Sequence, residues 1–86
     1  MVADETVVET AASAAHDLVF SRLDSSVVED LDVTISFEDD VLEVDVYIFA
    51  PDSDADVETV ADDAALAARA AVDTLFAAED DRRAEH

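Results

Sequence analysis

LDVTISFEDDVLEVDVYIFA, residues 31–50, decides the fold. Leu31, Val33, Ile35 and Phe37 alternate with Asp32, Thr34, Ser36 and Glu38. Beyond Asp39 and Asp40 the alternation resumes, with Leu42, Val44, Val46 and Ile48 set against Glu43, Asp45, Tyr47 and Phe49. Side chains of a strand point to opposite faces with period two, so each run reads as a half-buried strand. A two-residue turn at Asp39-Asp40 pairs Phe37 with Leu42, Ile35 with Val44, Val33 with Val46 and Leu31 with Ile48. A slip of one residue would turn every apolar side chain to the wrong face, so the pattern fixes the register. Aspartate tolerates positive φ less well than asparagine or glycine, which leaves the turn type open.

Helical periodicity flanks this hairpin on both sides. From about Asp4 to Arg22, Val7, Val8, Ala11, Ala15, Leu18 and Val19 form one stripe at helical spacing, and Phe20 lies on the opposite side. Thr6 and Glu9 have capping-box spacing, and Asp4 and Glu5 suit the positive end of the helix dipole. The polar stretch LDSSVVED, residues 23–30, connects this helix to the first strand. After the second strand, Pro51 cannot continue a ladder, and Ser53 or Asp54 can cap a new helix. Val57, Val60, Ala61, Ala64, Ala68, Ala71, Val72 and Leu75 share its face. Their small bulk predicts close approach to the sheet or to the first helix. Past Ala78 the apolar period stops, so residues 79–86 are expected to fray and residues 1–78 to form a single domain. The fold class is α+β, in the order α-β-β-α, with an antiparallel hairpin and both helices on its one apolar face. A lone two-stranded sheet is marginal and has two open edges, so oligomerisation is expected to extend it.

Composition sets the surroundings. The 86 residues include 24 acids against four arginines and no lysine, giving a formal charge of −20. At 51% hydrophobic residues in periodic order the chain nonetheless has the material to fold. In ~1 M salt the Debye length falls to ~3 Å, which screens the acid–acid repulsion that would destabilise a compact state in dilute buffer. The composition therefore reads as halophilic, ahead of an acidic protein that binds a basic partner. Direct nucleic-acid binding is not expected, because no basic patch exists to displace phosphate counterions. With no cysteine there is neither a disulfide framework nor a thiolate site. No signal-peptide pattern or membrane-length apolar run is present, and a cytoplasmic location is expected.

Catalytic motifs are hard to find. Asp52, Asp54 and Asp56 resemble the start of a calcium loop, but Val57 stands at the glycine position and Asp63 at the bidentate glutamate position. His16 and Asp17 are adjacent on a helix and do not face one another. No serine has a legible base beside it, and without glycine no phosphate-cradling loop can be argued. The expectation is a protein that is not an enzyme and takes no cofactor or metal. Apolar residues in unexpected places remain: Phe20 and Leu66 on polar helix sides, and Tyr47 and Phe49 on the outer face of the hairpin. These are candidate contacts with another chain.

The stretch from Leu31 to Leu75 resembles the small dimerising subunit of the archaeal KEOPS complex, which makes threonylcarbamoyl-adenosine in tRNA. The resemblance rests on the two alternating strands, on the strand exit FAPD at residues 49–52, and on Ala68-Arg69-Ala70-Ala71-Val72-Asp73-Thr74-Leu75. The family's last helix reads roughly LRAALNSLL; Ala68 replaces a leucine and Asp73 an asparagine. The family's leading strand has no counterpart before the first helix, which points to a divergent paralogue. The resemblance implies a homodimer or a heterodimer with a paralogous subunit, helices that pack on the KEOPS catalytic subunit, and Arg69 and Asp73 on the partner-facing side with Leu66 one turn earlier. Through VVETAA, VFSR, DVTISFEDDVLEVDVYIFAP and VADDAALAARAAVD, the chain is also similar to a small archaeal family well represented in halophiles. Genes of that family tend to lie near the gene for the prefoldin β subunit. The expected function is thus an interaction subunit in tRNA modification, with a prefoldin-associated factor or a small-ligand-binding protein as alternatives.

The charge generates a first prediction. A circular-dichroism titration from dilute buffer to molar KCl should show a large gain in cooperative structure. Full thermal stability in dilute buffer, unmoved by salt, would contradict the halophilic reading.

Overall fold

The computed structural model describes residues 3–84. The elements are α1 (Asp4–Arg22), β1 (Asp30–Glu38), β2 (Val41–Phe49) and α2 (Val57–Ala84). The two strands form an antiparallel sheet in the register read from the sequence, including all four inner pairs from Phe37–Leu42 to Leu31–Ile48. Asp39 and Asp40 have φ of 51° and 64°. Positive φ at both central residues is the signature of a type I′ turn, whose twist matches that of the flanking strands.

The alanines of α2 face α1. Every fourth residue of α1 (Val7, Ala11, Ala15, Val19) and of α2 (Val60, Ala64, Ala68, Val72) is buried, none more than 4% exposed. Stripes spaced by four form the ridges along which helices interlock, and alanine ridges let the axes come close. Arg22 Nη1 donates to Asp63 Oδ2 at 2.9 Å, joining the end of α1 to the early turns of α2, so the helices run antiparallel. That ion pair is largely exposed and contributes only ~0–1 kcal/mol. α1 packs on β1 and α2 on β2, giving one helix layer over one sheet face.

The ends of the core are closed by residues that periodicity did not single out. Leu23, 3% exposed, turns in at the end of α1, where its N–H donates to the Val19 carbonyl at 2.8 Å. Ala50 is buried in the same core cluster. At the turn end of the hairpin the Phe37 and Phe76 rings meet at 6.0 Å. In the α1–β1 loop, Ser26 N–H donates to Asp24 Oδ1 at 3.0 Å, and hydrogen bonding from Ser26 holds that carboxyl below its ordinary range.

Two local readings need correction. Thr6 does not cap α1: the N-cap is Ala3, without a side-chain hydrogen bond, and Val7 N–H already donates to the Ala3 carbonyl at 3.1 Å. Neither Ser53 nor Asp54 caps α2. Asp56 does, its Oδ1 accepting from the Glu58 and Thr59 N–H groups at 3.1 and 3.5 Å. The polar run before α2 offers several capping residues, and only the first turn's position selects among them. The helix α2 runs to Ala84, past the end of its apolar stripe at Ala78. Alanine, glutamate and arginine are good helix formers, so backbone propensity carries the helix beyond its apolar stripe. Glu85 and His86 of the expected tail lie outside the described residues.

The sheet is covered less completely than the helix pair. Among the eight inner-face residues only Ile48 is buried; the other seven are half-buried. The accessible surface is 5740 Å², whereas a compact 9.2-kDa monomer is expected to expose about 4,900 Å². The radius of gyration, 14.6 Å, likewise exceeds the roughly 12 Å of a compact chain of this length. Part of the excess is α2 itself, which at ~1.5 Å per residue outruns α1 and the strands.

The helix seam yields a second prediction. Ala64→Leu or Ala68→Leu should lower unfolding stability by ~1–3 kcal/mol in molar KCl, because the seam has no room for an isobutyl group. Ala70→Leu, at an exposed position of the same helix, should stay within ~0.5 kcal/mol of the parent. Denaturant unfolding compares the three variants, and equal effects at all positions would contradict a close-packed seam.

Candidate interaction surface

The outer face of the hairpin is built by the second phase of the alternation. It carries Asp30, Asp32, Thr34, Ser36 and Glu38 on β1, and Val41, Glu43, Asp45, Tyr47 and Phe49 on β2, all exposed. Register sets Tyr47 opposite Asp32 and Phe49 opposite Asp30. Both rings remain about half exposed, at 55% and 47%. No helix lies on this face, because both pack on the other one. Val41, at 58%, adds a third apolar residue at the turn end. It was missed by the sequence reading, although its place beside Leu42 in the alternation puts it outward.

Two of the remaining candidates come together elsewhere. Arg69 and Asp73 sit a turn apart on α2 and line an open cleft of about 500 Å³ between that helix and the hairpin turn. Its apolar wall is Phe37, Leu42, Val72 and Phe76, with Asp40 and Val41 at the rim. Phe76 was absent from the sequence reading, yet it lies four residues after buried Val72 and so falls on the same side of the helix. Leu66 is outside this cleft and 64% exposed, the most exposed large apolar side chain among the described residues. Phe20 stands apart from all of these. It is 44% exposed and stacks on His16 at 6.5 Å. The six candidate residues therefore divide among separate places: the hairpin's outer face, the α2 cleft with nearby Leu66, and α1.

No side chain that is polar or charged is buried among the described residues. No group of three potential metal ligands is found among them either. In the calcium-loop-like stretch, the Asp56 carboxylate is occupied as a helix cap and also accepts from Thr59 Oγ1 at 3.1 Å. Ser53 Oγ accepts from the Ala55 N–H at 3.0 Å. No described helix is long and apolar enough to cross a membrane.

A third prediction follows from the outer face. Replacing both Tyr47 and Phe49 by Ser should leave the far-ultraviolet circular dichroism and the inner pairs intact, since both side chains belong to the outward phase of the alternation. Association with a partner chain should weaken, because aromatic side chains carry a large share of interface energy. Loss of fold in the double variant would show instead that the rings serve the monomer.

No protein-family model matches the chain, and no solved structure matches it. It is 53% identical over 74 residues to an uncharacterised protein of Natronomonas pharaonis, covering 86% of this chain and 87% of the other. Identity at that level over nearly the whole of both chains places them in one family, and the chain belongs to this small haloarchaeal family.

Proposed function

We propose that the chain is a non-catalytic interaction subunit that completes its two-stranded sheet with strands from another chain, within a KEOPS-like tRNA-modifying assembly. The observation that carries this reading is the mismatch between the two layers. Packed helices sit ~8–10 Å apart, whereas strands sit ~4.7–4.9 Å apart. A layer of two helices therefore has room beneath it for about four strands, and this one covers two. The seven half-buried residues of the inner face register the same shortfall. Strands added at the free edges of β1 and β2 would pair the open backbone groups and shelter the apolar flanks of the helices at once.

The resemblance to the dimerising subunit, through FAPD and Ala68–Leu75, supports the choice of assembly. It makes the partner strands those of a second copy or a paralogous subunit, and it assigns Leu66, Arg69 and Asp73 to contact with the catalytic subunit. The α2 cleft gives Arg69 and Asp73 a concave apolar neighbourhood suited to such a contact.

Sedimentation equilibrium in molar KCl and affinity capture from a haloarchaeal lysate at the same salt test the proposal together. The expected result is a dimer of the 9.2-kDa chain, or a stable complex with KEOPS subunits. A chain that stays monomeric and captures none of those subunits overturns it. Capture of prefoldin subunits alone would overturn the choice of assembly.

A further inference from the structure

We propose that the outer face of the hairpin around Tyr47 and Phe49 receives an arginine-bearing segment of a partner protein. This rests on the reading of the chain as an interaction subunit, but it concerns the sheet's exposed face and not its edges. Tyr47 has Asp32 directly across the sheet and Asp45 two residues along its own strand; Phe49 has Asp30 across from it. Directly opposed side chains on one sheet face have Cβ atoms ~4.5–5.5 Å apart, so ring and carboxylate lie within reach of one incoming group. Residues 30–49 contain no lysine, arginine or histidine, so neither strand supplies a cation to these carboxylates.

Charge complementarity selects the occupant. A purely apolar partner would cover the rings and strip water from Asp30 and Asp32 without pairing them, at a cost that desolvated charges make large. The same face of a second copy would set carboxylate against carboxylate. A guanidinium meets both demands: its plane stacks on an aromatic ring while its N–H groups fork onto a carboxylate. It is also more weakly hydrated than an ammonium, and it has a planar fork that lysine lacks. Two rings on β2 set beside two carboxylates on β1 thus match arginine more closely than any other side chain.

Tyr47 is the single tyrosine and there is no tryptophan, so intrinsic fluorescence reports on this site alone. The test titrates the full chain in molar KCl with a hexa-arginine peptide and, separately, with a hexa-lysine peptide. The expected result is a change in Tyr47 fluorescence and about tenfold tighter binding of the arginine peptide. By calorimetry, Asp30→Asn with Asp32→Asn, and Tyr47→Leu with Phe49→Leu, should each abolish that preference. Leucine keeps apolar area while removing the ring, so association through the strand edges, followed by sedimentation, should persist in the leucine variant. Equal binding of the two peptides would mean general attraction to the net charge and would overturn the proposal, as would an arginine preference untouched by either double variant. A chain that stays monomeric and gains no strand at its edges yet retains the preference would overturn the sheet-completion reading and leave this one standing.

Discussion

Contact between two alanine ridges governs the rest of this molecule. Val7, Ala11, Ala15 and Val19 of α1 meet Val60, Ala64, Ala68 and Val72 of α2, and these eight residues make up most of the fully enclosed core. Small side chains keep the helices near and parallel to the same sheet face. Even so, no helix pair can narrow to the spacing of two strands. The inner face of the hairpin is therefore only half-buried apart from Ile48, and its two free edges lie where further strands would fit. The tight seam and the incomplete sheet are two results of one packing geometry.

Charge shapes what can occupy the incomplete side. A net charge of −20 on so small a body opposes association in dilute buffer, and molar salt reduces that repulsion to contact range. Under those conditions short-range complementarity decides which surfaces meet: unpaired backbone groups at the edges, rings and carboxylates on the outer face, and an apolar cleft flanked by Arg69 and Asp73 beside α2. Membership of a haloarchaeal family fits this setting. The three surfaces differ in composition and lie at different places on the molecule.

Much of the fold was legible because its signals are local and periodic. Alternation over residues 31–50 specified strands, turn position and register together, since any slip would have reversed the apolar face. The outward phase of the same alternation identified Tyr47 and Phe49. Helix limits were less legible: Asp56 caps α2 among several acids equally suited by residue type, and α2 outlasts its apolar stripe because propensity alone sustains it. Leu23 and Ala50 sit in connecting segments whose burial depends on what packs over them. The cleft that joins Arg69 and Asp73 to the hairpin turn is wholly tertiary. No spacing within α2 could have revealed which strand end lies beside it.

Amide hydrogen exchange in molar KCl, compared between the isolated and the associated chain, tests the unfinished sheet most directly. Amides of the α1–α2 seam should be protected in both states. Outward-facing amides at the edges of β1 and β2 should exchange rapidly in the isolated chain and gain protection on association. Edge amides that are already protected in a demonstrated monomer, or that stay unprotected in the complex, would contradict completion of the sheet by a second chain.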